Sequence, residues 1–357
     1  MSVPVAGPVL VVGSGLLGAS VGLALRRAGV EVQLEDADPS VVSAAVERGA
    51  GTPRSDSSPD PHLVVVAVPP GAAGSVMAQA CRFPEATITD VTSVKVLPLA
   101  DAVREGGDPR RLVGGHPLAG RELSGPEAAR LDLFDDRAWV VCPSDEADPD
   151  RVQEVIDLVT TCGGVPLRMD PREHDRAVAL TSHAPQVLSS LIAARLLDAD
   201  PDAVTVSGQA LKDMTRVAQS DPALWQAILR ANAESVAEVL GALSADLAAV
   251  VADLRTGDAG PATLDALSRG VAGRQRVPGK HGTAAAAYDV VTVQVADKPG
   301  ELASLFVAAG DLGVNLEDVR IDHVLGKPSG LIELSVRPDV STTLSEGLRE
   351  RGFDVRA

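Results

Sequence analysis

The stretch that most narrows what this chain can fold into is Val9–Ser20, "VLVVGSGLLGAS". Four apolar residues read as a buried strand, and a glycine turn then opens into a helical pattern. Gly13, Gly15 and Gly18 stand in the GxGxxG spacing. The first glycine suits a tight turn, the second a close approach to a pyrophosphate, and the third the packing of helix on strand. Ser14, Leu16 and Leu17 lie where the helix N-terminus turns its amides and positive dipole end toward phosphate. The second strand closes on "LEDAD", which puts Asp36 about 20 residues past the glycines, where a carboxylate accepts hydrogen bonds from an adenosine ribose. With Glu35 beside it, that carboxylate repels a 2′-phosphate, so the expected cofactor is NAD rather than NADP. In "VAVPPG", Val68 and Pro69 end a further strand at the sheet edge where ligands of such sheets bind.

Short apolar runs alternate with helical periods from residue 8 to about 170, the pattern of a parallel sheet with crossover helices. The expected strands are Val9–Val12, Glu31–Glu35, Leu63–Val68, Thr87–Thr89, Leu112–Gly114, Ala138–Cys142 and Val165–Arg168. Ala/Leu/Val-rich helices then take over at Arg172–Leu197, Thr205–Ala218, Pro222–Leu254 and Ala262–Ala272, with Asp221 as N-cap ahead of Pro222. The fold class is therefore α/β: a doubly wound Rossmann-type sheet over 1–171, an all-α domain over 172–273, a linker over 274–288 and an α+β module over 289–357. An all-helical block of this kind commonly buries its apolar faces on a twin subunit, so a homodimer is expected.

Composition removes several functions. The 357 residues suit two or three domains. A formal net charge of −17 argues against nucleic acid or an anionic membrane as partner, since both need a broad positive field. No run of 18 apolar residues argues for a membrane span. Cys81, Cys142 and Cys162 are scattered, and no His, Cys, Asp and Glu group has ligand spacing, so the expectation is a reducing cytoplasm and no metal. The N-terminus shows no signal peptide pattern.

Two stretches at the expected sheet edge carry the chemistry, "TDVTSVK" (89–95) and "GGHPLAGRE" (114–122). Each follows a strand, so Ser93 and His116 are expected to face each other, the hydroxyl fixing an imidazole that accepts a proton from a substrate hydroxyl. The glycines before His116 are expected to let the strand end turn abruptly. His183 sits two residues ahead of Pro185, which should kink its helix. Arg216 is a guanidinium able to clamp a carboxylate in a strongly acidic chain, with Asp213 three residues before it. Trp225 is expected either to pack behind the site or to be an ordinary core residue. His174 and Asp175 read as polar residues at a helix start, and His62, His281 and His323 carry no assignment.

Taken in order, GSGLLGAS, DVTSVK, GGHPLAGRE, "HDRAVALTSHAPQVL" and "KDMTRVAQSDPALW" resemble the prephenate/arogenate dehydrogenase family of tyrosine biosynthesis, over residues 8 to about 275. The resemblance implies oxidative decarboxylation of a cyclohexadienol: hydride passes to NAD, carbon dioxide departs and the ring becomes aromatic. It makes His116 the catalytic histidine with Ser93 orienting it, has Arg216 hold a substrate carboxylate, and places His183 near that carboxylate. Arg121 stands where some relatives have threonine, offering a second cation to the substrate or a partner to Glu122. Gln209 stands where some have glycine. Prephenate and arogenate both remain open as substrates. A β-hydroxyacid or imine-reducing dehydrogenase shares the layout but would want a catalytic lysine, and a non-catalytic NAD and amino-acid sensor would not retain His116, Ser93 and Arg216 together.

The last segment, "VVTVQVADKPGELASLFVAAGDLGVNLEDV", resembles the start of an ACT domain, a small-molecule regulatory fold of ferredoxin-like type. Pro299 and Gly300 turn into its helix, and Gly313 and Asn315 turn out of it. Two more strand-and-turn units are expected after that. The resemblance implies L-tyrosine as an effector near Gly313 and Asn315.

Overall fold

The computed structural model describes residues 5–119, 125–277, 288–323 and 329–356. The chain divides into two compact units, Met1–Leu243 and Ser244–Ala357. The first unit is organised by eight strands: β1 (Val9–Val12), β2 (Val32–Glu35), β3 (Thr52–Pro53), β4 (Leu63–Val66), β5 (Thr87–Asp90), β6 (Leu112–Pro117), β7 (Ala138–Pro143) and β8 (Val165–Arg168). They form one sheet in the order β3-β2-β1-β4-β5-β6-β7-β8. The helices around it are α1 (Leu16–Arg27), α2 (Pro39–Glu47), α3 (Pro70–Ala80), α4 (Val96–Arg104) and α5 (Pro149–Thr161). Chain order reverses between β1 and β4, so a crevice opens at the carboxyl ends of those strands.

Both sheet faces are buried, and the strands show it residue by residue. Val9 and Val11 of β1, with Leu63 and Val65 of β4, enter one core, while Leu10, Val64 and Val66 enter the other. Each such side chain, fully removed from water, contributes about 1.5–3 kcal/mol. The sheet is not wholly parallel as the alternation suggests. β7 runs antiparallel to β6, with Val113 opposite Pro143 and His116 opposite Val140. Thr52–Pro53 is a strand too short to show a periodicity.

A helical layer follows: α6 (Pro171–Val178), a π-turn over Ala179–His183, α7 (Ala184–Arg195), α8 (Pro201–Thr205), α9 (Gln209–Thr215) and α10 (Pro222–Ala231). The expected long helix over 172–197 is thus one run with a π-turn inside it. Ala184 donates its N–H to the Ala179 carbonyl five residues back, which takes up the irregularity ahead of Pro185. The expected helix over 222–254 breaks at Asn232 into α10 and α11 (Ala233–Arg255). Aspartate–proline pairs set many of these starts. Asp38, Asp148, Asp170, Asp200 and Asp221 each accept a backbone N–H in the first turn, with proline next in sequence.

Two stretches, Pro171–Asp198 and Ala233–Arg255, are long and apolar enough to cross a membrane by length and composition. The first is tied to the crevice described below. The second is α11, which leaves Leu243, Leu247, Val251 and Leu254 exposed.

In the second unit, α12 (Pro261–Gln275) reaches past the expected linker boundary. Beyond it lie β9 (Asp289–Ala296), α13 (Glu301–Asp311), β10 (Asp318–His323), β11 (Ser329–Val336), α14 (Pro338–Glu350) and β12 (Asp354–Val355). The sheet order is β10-β11-β9-β12, with every pairing antiparallel. This is a βαββαβ unit. Its second helix, α14, was not expected from the sequence. Val293, Leu305, Leu334, Leu344 and Leu348 are fully buried at its centre.

Candidate active site

A cavity of about 760 Å³ occupies the crevice of the first unit. Its wall takes Gly15, Leu16 and Leu17 from the start of α1, Val68 and Pro69 from beyond β4, and Ser93 from beyond β5. His116 joins from β6, and Thr181, Ser182, Leu224 and Ile228 from the helical layer. The glycine turn and the predicted catalytic histidine therefore share one cavity.

The glycines differ in what they require. A Cβ on Gly13, whose φ is +96°, would sit 2.4 Å from the Ala67 carbonyl oxygen, and one on Gly18 would sit 1.8 Å from that of Gly13. The chain itself forbids side chains there. A Cβ on Gly15 meets no protein atom within 4 Å, so nothing in the protein demands glycine at that point. A ligand passing close to the backbone does, which is the fit a pyrophosphate makes. Asp36 is held toward the same turn: Ser14 N–H donates to its Oδ2 at 2.7 Å and Asp38 N–H to its Oδ1 at 3.0 Å. The Ser14 hydroxyl is buried without a partner among the described residues. Glu35 is ion-paired with Arg82 at 3.3 Å, so the preference against a 2′-phosphate rests on Asp36 alone.

The glycines ahead of His116 do not turn the strand, which continues through Pro117. They make room. A Cβ on Gly115 would lie 2.5 Å from the Asp90 carbonyl oxygen, and one on Gly114 would lie 3.0 Å from Cδ of Lys95. Lys95 is fully buried, an uncommon place for an ammonium group unless it is paired. Its Nζ donates to the Asp90 carboxylate, to Gly115 O at 2.5 Å and to Thr92 Oγ1 at 3.2 Å. Asp90 in turn accepts the Gly115 N–H at 3.1 Å. This buried network fastens the "DVTSVK" loop to the strand that carries the histidine.

Ser93 lines the cavity with His116, but among the described residues no hydrogen bond joins them. The imidazole is held instead by His174, with Nδ1 of His116 2.8 Å from Nε2 of His174. Nδ1 of His174 is 2.8 Å from Oδ1 of Asp175. Asp175 also accepts the N–H groups of Lys95 at 2.8 Å and Val96 at 2.9 Å, at the start of α4. His174 and Asp175 are buried parts of the site and not solvated helix-start residues. A histidine and an aspartate side by side just past the first turn of an Asp–Pro-capped helix is the one sequence signal that pointed to them.

His183 is likewise buried, but it does not line the cavity. Asn232 Nδ2 lies 3.2 Å from its Nδ1, the same amide donates to the Asp175 carbonyl at 2.7 Å, and Trp225 stands edge-on with ring centroids 5.9 Å apart. Burial lowers its pKa to about 4. The π-turn places Thr181 and Ser182 at the cavity and His183 behind it. His116 is also held well below 6.5, first by burial and then by its neighbours His174, Lys95 and His183, so its ring is neutral at neutral pH.

Arg216 is not among the described residues that line this cavity. It is exposed in a 3₁₀ turn, Arg216–Gln219, that follows α9, and the described lining holds no lysine or arginine. Asp213 accepts the Gln209 Nε2–H at 2.9 Å. Arg121 lies outside the described residues. Among those described, no His/Cys/Asp/Glu group could hold a metal.

Comparison with known proteins follows this geometry. Residues 21–167 match the family model "Prephenate dehydrogenase, nucleotide-binding domain", and residues 170–264 match "Prephenate dehydrogenase, dimerization domain". The chain is 38% identical to "Probable prephenate dehydrogenase NovF" of Streptomyces niveus, over 96% of this chain and 97% of that one. It is 25% identical to the prephenate dehydrogenase of Bacillus subtilis, over 93% and 92% respectively. A solved prephenate dehydrogenase from A. aeolicus, in complex with hydroxyphenyl propionate and NAD+, superposes with a TM-score of 0.67 at 27% identity, covering 75% of this chain and 97% of that one.

Proposed function

The chain belongs to the prephenate dehydrogenase family, and from that premise we propose that it catalyses the NAD-dependent oxidative decarboxylation of prephenate to 4-hydroxyphenylpyruvate and carbon dioxide. The observation that carries this reading is the single cavity shared by Gly15 and His116. Gly15, Leu16, Leu17, Val68 and Pro69 would hold NAD, with Asp36 on its adenosine ribose. NAD, when bound, supplies the hydride acceptor. His116, neutral at working pH, takes the proton of the substrate hydroxyl, which favours loss of hydride from the same carbon. Ser93, Thr181 and Ser182 give the otherwise apolar wall hydroxyl donors and acceptors for the substrate's polar groups. Leu16, Leu17, Val91, Leu224 and Ile228 shield the reacting centre from water.

The test is direct. Protein mixed with NAD and either prephenate or arogenate should form NADH with prephenate, and His116→Asn should abolish most turnover while NAD affinity is kept. NADH formation from arogenate alone would move the assignment to arogenate dehydrogenase. Absence of NADH with both substrates would overturn the reading.

Assembly and control belong to the same reading. The exposed apolar side chains of α11, within the stretch matching a dimerization domain, support a homodimer, which sedimentation velocity would test. The βαββαβ order of the C-terminal sheet supports an ACT domain with L-tyrosine as effector near Gly313, whose φ is +70°, and Asn315. A steady-state rate unchanged by saturating tyrosine would remove that assignment. A cytoplasmic location is supported by three cysteines that each stand unpaired.

A further inference from the structure

The hydrogen bonds around His116 specify where its proton sits. An ionised carboxylate can only accept, so Asp175 Oδ1 must receive the N–H of His174 Nδ1 across 2.8 Å. With Asp175 also accepting the N–H groups of Lys95 and Val96, both its oxygens are committed as acceptors. In neutral His174 the other nitrogen, Nε2, then carries a lone pair, and it must accept the N–H of His116 Nδ1 across 2.8 Å. Nε2 of His116 is left without a proton. Among the described residues that nitrogen has no hydrogen-bond partner, and its ring lines the cavity.

We propose that His174, fixed by Asp175, is a positioning residue that locks His116 in the Nδ1–H tautomer, so that the bare Nε2 faces the substrate hydroxyl. The proposal rests on the reading of His116 as the base. When the substrate O–H bond breaks, a new N–H bond forms at Nε2 and no other proton has to move. The resulting imidazolium keeps its Nδ1–H donated to His174, whose own N–H points to the Asp175 carboxylate. One negative charge thus stabilises the developing positive charge through one intervening ring. The groups facing this pair are Asp175 on the same helix as His174, His183 on the π-turn, and the pair formed by Asp90 at the end of β5 with Lys95 ahead of α4. Lys95 and His183 both disfavour a positive charge at His116.

Two measurements decide the matter. In imidazole ¹⁵N NMR of the wild-type enzyme at neutral pH, His116 and His174 should both show the Nδ1–H, bare-Nε2 pattern, with assignments from the signals lost in H116N and H174Q. In kinetics, H174L should lower kcat by about 100-fold or more, the scale of a lost general base, with the KM for NAD within about twofold. H174Q, whose amide oxygen can accept the His116 Nδ1–H, should recover kcat to within about tenfold of wild type. An Nε2–H tautomer of His116 in the wild type, or H174L turning over like wild type, overturns the proposal. If H174L does not fold, the wild-type spectrum and the H174Q rate still decide it. Failure of the wild type to form NADH from either substrate would count against the functional reading, whereas the tautomer is read without turnover.

Discussion

Gly15 and Gly18 stand three residues apart in one motif, yet replacing each with alanine should do different things. For Gly18→Ala, the new Cβ would lie 1.8 Å from the Gly13 carbonyl oxygen and 3.0 Å from Cγ1 of Val11. Restoring even a 3.0 Å separation needs a backbone shift of about 1.2 Å, because the obstacle is a carbonyl and not a flexible side chain. Overpacking costs about 1–3 kcal/mol where side chains can yield, so the upper end applies here. Alanine returns about 1 kcal/mol through helix propensity, which leaves a net loss of about 2 kcal/mol. At about 2–4 °C per kcal/mol for a domain of this size, Tm should fall by about 4–8 °C. Gly15→Ala places its Cβ in open space among the described residues and should lower the Tm of the free enzyme by only about 1–4 °C, from about 0.5–1 kcal/mol for alanine in place of glycine at the helix cap. Its methyl group would occupy the path of a pyrophosphate, and NAD affinity should drop by about 30-fold, or roughly 2 kcal/mol. Thermal unfolding without ligand, followed by calorimetric NAD titration, separates the effects. A Gly15→Ala protein that binds NAD as tightly as wild type would refute the placement of the phosphates. A Gly18→Ala protein as stable as wild type would refute the packing argument.

Other perturbations follow from the buried charges. Lys95→Met leaves Asp90 fully buried with the N–H groups of Thr92 and Gly115 as donors but no cation. Losing one partner of such a pair costs about 3–5 kcal/mol, and the remaining donors favour the lower figure, readable by urea unfolding. Because Lys95 depresses the pKa of His116, the acid limb of the kcat/KM profile should also move to higher pH in that variant. His183 is neutral in the folded state down to about pH 4, whereas unfolded histidine takes its proton near 6.5. Unfolding therefore binds protons in that window, and stability should fall as pH drops from 6.5 to 4, by about 3 kcal/mol in total. In His183→Asn, whose side-chain oxygen can still accept from Asn232, that slope should flatten. An unaltered slope would place the acid sensitivity elsewhere. Burial pushes the Cys142 and Cys162 thiols up to about 12, so a thiol reagent on native protein should modify Cys81 alone, and three thiols after denaturation.

Much of the fold was legible because its signals are local. A strand, three spaced glycines and a helix announce a nucleotide crevice within twelve residues, and an aspartate ahead of a proline marks a helix start wherever it occurs. Reversal of a strand leaves no such mark. β7 reads as an apolar run whichever way it points, so its antiparallel pairing with β6 was hidden. The π-turn was half visible: Pro185 requires a disturbance four residues earlier, but helical periodicity does not say whether the chain kinks or takes in one extra residue. α14 was missed because polar residues dominate it, and its apolar contacts, Val340, Leu344 and Leu348, make only a narrow stripe among them.

The site was legible in its loops and illegible in its supports, for one physical reason. A residue that will touch a ligand is displayed by the backbone, and display needs glycine, proline and strand ends that can be read in order. A residue that holds another side chain needs only to be near it in space. His174 is 58 positions from His116, and Asp175 is 80 from the Lys95 amide it caps. Ser93, in the neighbouring loop, was the expected partner of His116, and Arg216 was expected to hold a substrate carboxylate, on the family resemblance and on charge balance together. For His116, packing supplies a different partner. α6 brings His174 to the histidine, and fixing α6 takes the bond from Asn232, at the far end of α10, to the Asp175 carbonyl. The base is therefore positioned by a chain of contacts that passes through three helices, and each link is an ordinary polar residue until the fold closes.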